Sequence, residues 1–357
     1  MSMLSNQRLL RTVDALAEAC SQEMARDDSV FLFGLDVDDH KAIQGSTAGL
    51  LEKFGPDRIF GTPLSEDAMT GVAVGAAMAG MRPIHVHIRM DFVLLAMNQL
   101  INMGAKAHYM YNGQIQVPMV VRCTIGRSWG QGAQHSQALH SMLMHVPGLK
   151  VVAPTNAYDA KGLMIAAIRD NNPVIIMEHR LLCNAEAYVP EDLYEVEIGK
   201  ARIMSQGDDI TILGVSHMAI ESMRAAKFLK EEGISAEVID PVSLRPLDME
   251  TIGNSVQKTG KLLVVDNGWL NCGLSAEVLA SIAEQGLTGP DGQPVQVARM
   301  GFADTTCPTV RCLEDHFYPN GRTIAAKAYQ MVKAQPTATW LPPEGVQPEI
   351  QEFKGPF

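Results

Sequence analysis

"SEDAMTGVAVGAAMAGMRPIHVHIRMDFVLLAMNQLINMGAKAHYM", Ser65 to Met110, reads as helix, strand and helix in succession. After Glu66 and Asp67 no charge intervenes before Arg82, "RPIHVHIR" has the length of a strand, and "FVLLAMNQLINMGAKAHYM" returns to helix. With "SVFLFGLDV" before it, the order is β-α-β-α. It continues through "VPMVVRCTIG", a helix from about Gln137, "LKVVAPTN", "AYDAKGLMIAAIRD" and "NPVIIMEH". Strands so uniformly apolar suit a parallel sheet covered by helices on both faces. The fold class is therefore α/β, with a doubly wound parallel-sheet domain over residues 1–180.

Residues 181–207, "LLCNAEAYVPEDLYEVEIGKARIMSQG", are acidic and irregular and read as a linker with a hairpin-like excursion. A second α/β domain is expected over 208–335, with strands "DITILGVS", "SAEVIDPVSL", "KLLVVDNG" and "VQVARMG". The Pro-rich tail, 336–357, is either disordered or laid over a neighbouring surface, and Trp340 and Phe357 favour the second.

At 357 residues the chain has room for two cores. A net charge of -11 argues against a nucleic-acid backbone as the main ligand. No apolar stretch reaches the roughly 18 residues that span a bilayer, and "LSNQRLLRTVDALAEACSQEM" reads as an amphipathic helix, so a cytoplasmic location is expected. Six scattered cysteines, with no CxxC pair, read as reduced structural thiols.

Two readings compete for Glu66 and Asp67. Acids favour a helix N-terminus, where unpaired amides and the macrodipole stabilise negative charge, with Ser65 as the cap; alternatively one carboxylate serves chemistry. The phosphate cradle GxxxxGK[ST] is absent, and Gly71, Gly75 and Gly80 are spaced for close helix packing rather than a dinucleotide turn. Neither G-x-S-x-G nor H-E-x-x-H occurs.

The runs "KFGPDRIFGTPLSEDAMTGVAVGAAMAGMRPI" and "AQHSQALHSMLMHVPGLKVVAPTNAYDAKGLMIAAIRDNNPVIIME" closely resemble the beta subunit of thiamine-diphosphate-dependent 2-oxoacid dehydrogenases of the pyruvate and branched-chain type. The likeness runs from about Arg11 to Val332 and is looser in the second domain, at "PVSLRPLD" and "LLVVDNGW". It implies a pyrimidine-binding domain followed by a transketolase C-terminal-like domain.

The resemblance gives Glu66 the role of the carboxylate that hydrogen-bonds the cofactor's aminopyrimidine, which removes the proton from the thiazolium carbon. An apolar setting strengthens that hydrogen bond. Asp67 matches no role. Phe92 matches the aromatic that stacks on the aminopyrimidine, and His135 the histidine that orients substrate and assists acyl transfer. Met119, Ala167, Ile168, Asp170 and Asn172 match a potassium loop of carbonyls and one carboxylate; "RDNNP" would equally make a plain helix-ending turn. The chain has no GDG motif with a following Asn, the family's device for magnesium and the diphosphate. The resemblance assigns that half to a separate alpha subunit in an α2β2 assembly, with a lipoyl acyltransferase core as a further partner.

Two departures stand out. The family reads Gly-Glu-Asp/Glu-Val where this chain has Gly34, Leu35, Asp36 and Val37, so at these cofactor-binding positions a carboxylate path linking two active sites loses an acid that Asp36 replaces only in part. His87 and Arg89 stand where the family carries largely uncharged residues, and Arg127 and Trp129 enter the loop leading to His135. These arginines would grip an anionic group on a substrate more polar than pyruvate, or pair with acids of a partner subunit. The expected function is thus decarboxylation of a 2-oxoacid with acyl transfer to a lipoyl group. Its competitors are a transketolase-like or acyloin-forming carboligase without a lipoyl partner, and a silent assembly subunit, which would have no chemical reason to keep Glu66, Phe92 and His135 together.

Overall fold

The computed structural model describes residues 8–39, 41, 43–126, 130–334 and 340–343. Arg127, Trp129 and Phe357 lie outside the described residues. The chain divides into two compact units, the first built from residues within 1–129 and 142–198, the second from 130–141 and 199–351.

The first unit runs β1 (Leu9–Arg11), α1 (Thr12–Arg26), β2 (Val30–Gly34), α2 (Leu50–Phe54), β3 (Ile59–Gly61), α3 (Glu66–Met78) and β4 (Arg82–His87). A 3-10 turn at Met90–Ala96 and a π turn at Gln99–Gly104 lead into α4 (Ala105–Met110). Then come β5 (Val120–Ile125), α5 (His140–Met144), whose first two residues belong to the second unit, β6 (Lys150–Val152), α6 (Ala157–Arg169), β7 (Val174–His179) and β8 (Glu186–Tyr188). Its main sheet is parallel, in the order β6-β7-β5-β4-β2-β3. Every residue of β2, β5 and β7 is buried, as strands covered on both faces must be.

Four local expectations are corrected. Ser65 occupies the cap position of α3, but its side chain makes no capping hydrogen bond. Close packing requires none of the three glycines: an added Cβ at Gly71 would make only an ordinary contact with the Gln99 side chain at 3.5 Å, and Gly75 and Gly80 face open space; Gly80 instead takes φ +96°, a turn that L side chains resist. The long helix after Phe92 is broken into 3-10, π and α pieces. Residues 181–198 fold as part of the first unit, where β8 pairs antiparallel with β1 rather than forming a hairpin with its successor. The buried ammonium of Lys161 fastens this segment by donating to the carbonyls of Pro190 (2.7 Å) and Glu191 (3.0 Å) and pairing with Glu18 (2.7 Å).

The second unit contains β9 (Arg202–Ser205), β10 (Ile210–Gly214), α7 (His217–Glu231), β11 (Ala236–Asp240), the short β12 (Ser243–Arg245), α8 (Met249–Thr259), β13 (Lys261–Trp269), α9 (Leu274–Glu284), β14 (Gln296–Phe302), α10 (Arg311–Glu314) and α11 (Gly321–Val332). Its sheet is ordered β14-β13-β10-β11-β9, with β9 antiparallel and the others parallel. Ile210, Ile212, Leu263 and Val265 pack beneath α7 and α11. Trp340 lies over the same core and stacks on Tyr329, their centroids 4.6 Å apart, so this part of the tail is laid over its neighbour.

Across the first sheet, Arg122 of β5 donates twice to Glu178 of β7, at 2.6 and 2.9 Å, and once to Ser46 at 2.8 Å. The guanidinium is fully buried, and the carboxylate raises its pKa against the opposing effect of desolvation. A buried charge that loses its partner costs about 3–5 kcal/mol, whereas removing both can be nearly neutral. Arg122→Met should therefore lower the urea midpoint sharply, and adding Glu178→Leu should restore much of the loss; equal midpoints for the single and double variants would contradict the pairing.

Candidate functional site

In an open parallel sheet a ligand crevice lies beyond the carboxyl ends of the strands, where the connections part. Here β2 leads to β3 on one side, while β4 lies on the other. A cavity of about 250 Å³ occupies that place, walled by Leu35 and Asp36 after β2, Thr62 to Glu66 and Met69 at the start of α3, His85 to Arg89 at the end of β4, and Phe92. Six expected residues thus share one cavity: Leu35, Asp36, Glu66, His87, Arg89 and Phe92.

The backbone is built for this close approach. At Gly34, φ is +155°, and a Cβ there would sit 2.3 Å from the Val86 carbonyl oxygen. Asp36, on the rim, takes φ +56°, an uncommon conformation for a residue with a side chain. Asp38 accepts a hydrogen bond from the Gly61 amide (2.8 Å), tying the loop to the end of β3.

Glu66 is the first residue of α3 and half-buried. One turn later on the same helical face, the hydroxyl of Thr70 is 3.3 Å from Nε2 of His87. That hydrogen bond fixes the rotation of the helix and so the side to which Glu66 points. His87 in turn meets His85 edge to face at 4.4 Å, and His85 stacks on Phe33 at 4.6 Å. Nδ1 of His85 faces the Phe33 carbonyl at 3.4 Å. Because a carbonyl can only accept, the proton sits on Nδ1. Burial pushes His85 down to about 4 against that hydrogen bond, and burial followed by the neighbouring His85 pushes His87 well below the ordinary histidine value. Both rings are therefore neutral near pH 7. Arg89 is also buried, and desolvation lowers its pKa while Asp91 opposes the shift.

His85 and Met69 are wall residues that sequence reasoning did not single out. The signal for His85 was present, since His85, His87 and Arg89 alternate along one strand direction and period two places such residues on one face.

His135 belongs to the second unit, in the segment 130–141, and is half-buried. The cation-loop residues come together at the end of α6. The Ile168 and Asp170 carbonyls accept from Arg82 at 2.8 and 3.0 Å, and the Met119 carbonyl accepts from the Val174 amide at 3.0 Å. The Asp170 carboxylate pairs with Lys150 and accepts from the Asn172 amide at 2.9 Å. Among the described residues no group of three or more His, Cys, Asp or Glu is arranged to hold a metal ion, and no helix is long and apolar enough to cross a membrane.

Residues 9–185 match the transketolase pyrimidine-binding domain and residues 199–324 the transketolase C-terminal domain. The chain is 40% identical over 329 residues to the acetoin:2,6-dichlorophenolindophenol oxidoreductase subunit beta of Cupriavidus necator, covering 89% of this chain and 96% of that one. It is 41% identical over 284 residues to the pyruvate dehydrogenase E1 component subunit beta of Rickettsia bellii, covering 80% and 87%. A solved split-gene transketolase, described as an inactive beta4 tetramer, superposes with a TM-score of 0.74 at 21% identity, covering 91% of this chain and 99% of that one, a likeness of fold.

A histidine held at about 4 when folded and near 6.5 when unfolded stabilises the fold above the unfolded value, and that stability is lost as pH falls from about 6.5 towards 4. Replacing His85 by Phe keeps the stack and removes the proton site. Between pH 7 and pH 5 the wild type should lose about 2 kcal/mol more unfolding free energy than His85→Phe. Parallel pH profiles in urea titrations would rule out the buried neutral imidazole.

Proposed function

The chain belongs to the family of pyruvate and acetoin dehydrogenase beta subunits, and from that premise we propose that it is the pyrimidine-binding half of a thiamine-diphosphate enzyme acting on a 2-oxoacid. The observation that carries the reading is the meeting of Glu66, at the opening of an otherwise uncharged helix, with Phe92 in one largely apolar cavity. The residues present fit an aminopyrimidine: one carboxylate, one aromatic ring, and Leu35, Met69, Val86 and Ile88 as apolar wall.

Bound thiamine diphosphate supplies a carbon nucleophile and an electron sink for decarboxylation. Glu66 would hold the aminopyrimidine through a proton shared at its carboxylate, and Phe92 would offer its ring face. His135 would orient the substrate and move a proton during acyl transfer. Arg89 would take an anionic group of the substrate and His87, neutral, would donate or accept a single hydrogen bond; Arg127 joins them on sequence grounds alone. Leu35 and Asp36 would border the cofactor.

The diphosphate and Mg²⁺ would be held by an alpha subunit, in an α2β2 assembly, and the acyl group would pass to a lipoyl arm. An exposed apolar row supports a partner: Leu94, Leu95, Met103, Tyr109 and Met110. A potassium ion at Met119, Ala167, Ile168, Asp170 and Asn172 would use second carbonyl lone pairs, since Arg82 and Lys150 already engage several of these oxygens. A cytoplasmic location accompanies this reading.

Calorimetric titration of thiamine diphosphate with Mg²⁺ should give binding with the alpha subunit present and none with the chain alone; tight binding by the chain alone would overturn the split site. In the assembled enzyme, Glu66→Gln should lower kcat by roughly 10²–10⁴-fold with the assembly intact by sedimentation. Unchanged turnover would remove Glu66 from the chemistry.

A further inference from the structure

Segment 130–141 interrupts the sequence of the first unit yet folds with the second. Its two ends are clamped differently. At the entry, Gly130 and Gly132 take φ +80° and +68°, and a Cβ on either would come 2.5 Å from Thr309, so the backbone is pressed onto that residue. At the exit, Nε2 of His140 donates to Asp266 at 3.0 Å, and the Ser141 hydroxyl accepts from the Leu274 amide at 3.1 Å. Between the clamps a short bow of chain leaves Ala133 and Gln134 exposed and His135 half-buried.

The exit clamp is the more specific. His140 and Asp266 are both fully buried. Among the described residues Nδ1 of His140 has no hydrogen-bond partner, and the bond from Nε2 to Asp266 is the one that orients the ring. The other carboxylate oxygen of Asp266 accepts from the Ser275 amide at 3.3 Å, which holds the acid against the start of α9. Gly268 leaves the space the ring needs, since a Cβ there would lie 3.0 Å from Cε1 of His140.

We infer that Asp266, acting through His140, is a positioning residue for His135: the second unit holds the bow that presents this histidine. The inference rests on the reading of His135 given under the proposed function, and its test separates the two. Hydrogen exchange is measured on the full chain for amides 131–139 and, as a control, for β10. In His140→Leu, exchange in 131–139 should rise about tenfold or more while β10 keeps its protection. His140→Gln, whose amide can still donate to Asp266, should lie near the wild type. Unchanged exchange in the bow, or an equal rise in β10, would overturn the inference, the latter marking the pair as general core structure. In the assembled enzyme kcat should fall in His140→Leu and recover in His140→Gln. A loosened bow with unchanged kcat supports the clamp and removes His135 from the chemistry.

Discussion

Keeping polar groups dry where β4 ends is the constraint on which the first unit turns. His85, His87 and Arg89 are buried there, and a buried polar group without a partner is costly. The ladder from the Phe33 carbonyl through the two imidazoles to Thr70 reduces that cost while leaving both rings uncharged. Because Thr70 belongs to α3, the helix cannot rotate without breaking the ladder. Glu66, one turn earlier, is aimed by the same bond.

The two units divide the work differently from their order in sequence. The first supplies the crevice, with Glu66, Phe92 and a largely apolar wall that carries His85, His87 and Arg89. The second reaches across the sequence for residues 130–141 and fixes them by two glycines against Thr309 and one buried His–Asp pair. Fixing both ends of so short a segment limits the conformational freedom of His135 between them. Asp266 belongs to β13, whose Leu263 and Val265 are buried in the core with residues of α7 and α11.

Much of this was legible in the amino-acid order. Uniformly apolar strand-length runs alternating with helical ones point to the α/β class, and the two acids before "AMTGVAVGAAMAG" fit both a helix start and a functional carboxylate. Glu66, Phe92 and His135 were singled out through resemblance, and only the first two meet in the cavity described. What stayed hidden depends on distance along the chain. β1 meets β8, and His140 meets Asp266, across separations that no local pattern encodes. Residues 181–207 read as a linker because they are acidic and irregular, yet the buried Lys161 recruits the carbonyls of Pro190 and Glu191. Ser65 has the right residue type for a cap, but type alone does not set the torsion that brings a hydroxyl to the helix amides.

Leu35 changes the electrostatics of the crevice more than its position on the wall suggests. With an apolar side chain there, the described acids at the cavity are Glu66 and Asp36, and they are not alike. Glu66 is half-buried at a helix start; Asp36 is exposed and held at φ +56° on the rim. An exposed carboxylate is screened by water, so its charge is felt weakly inside. The less exposed polar groups of the wall are thus Glu66, two neutral imidazoles and the buried Arg89, whose charged form the buried Asp91 favours. A chain of acids leading outwards from the crevice would have to begin at Asp36, an aspartate already in contact with solvent.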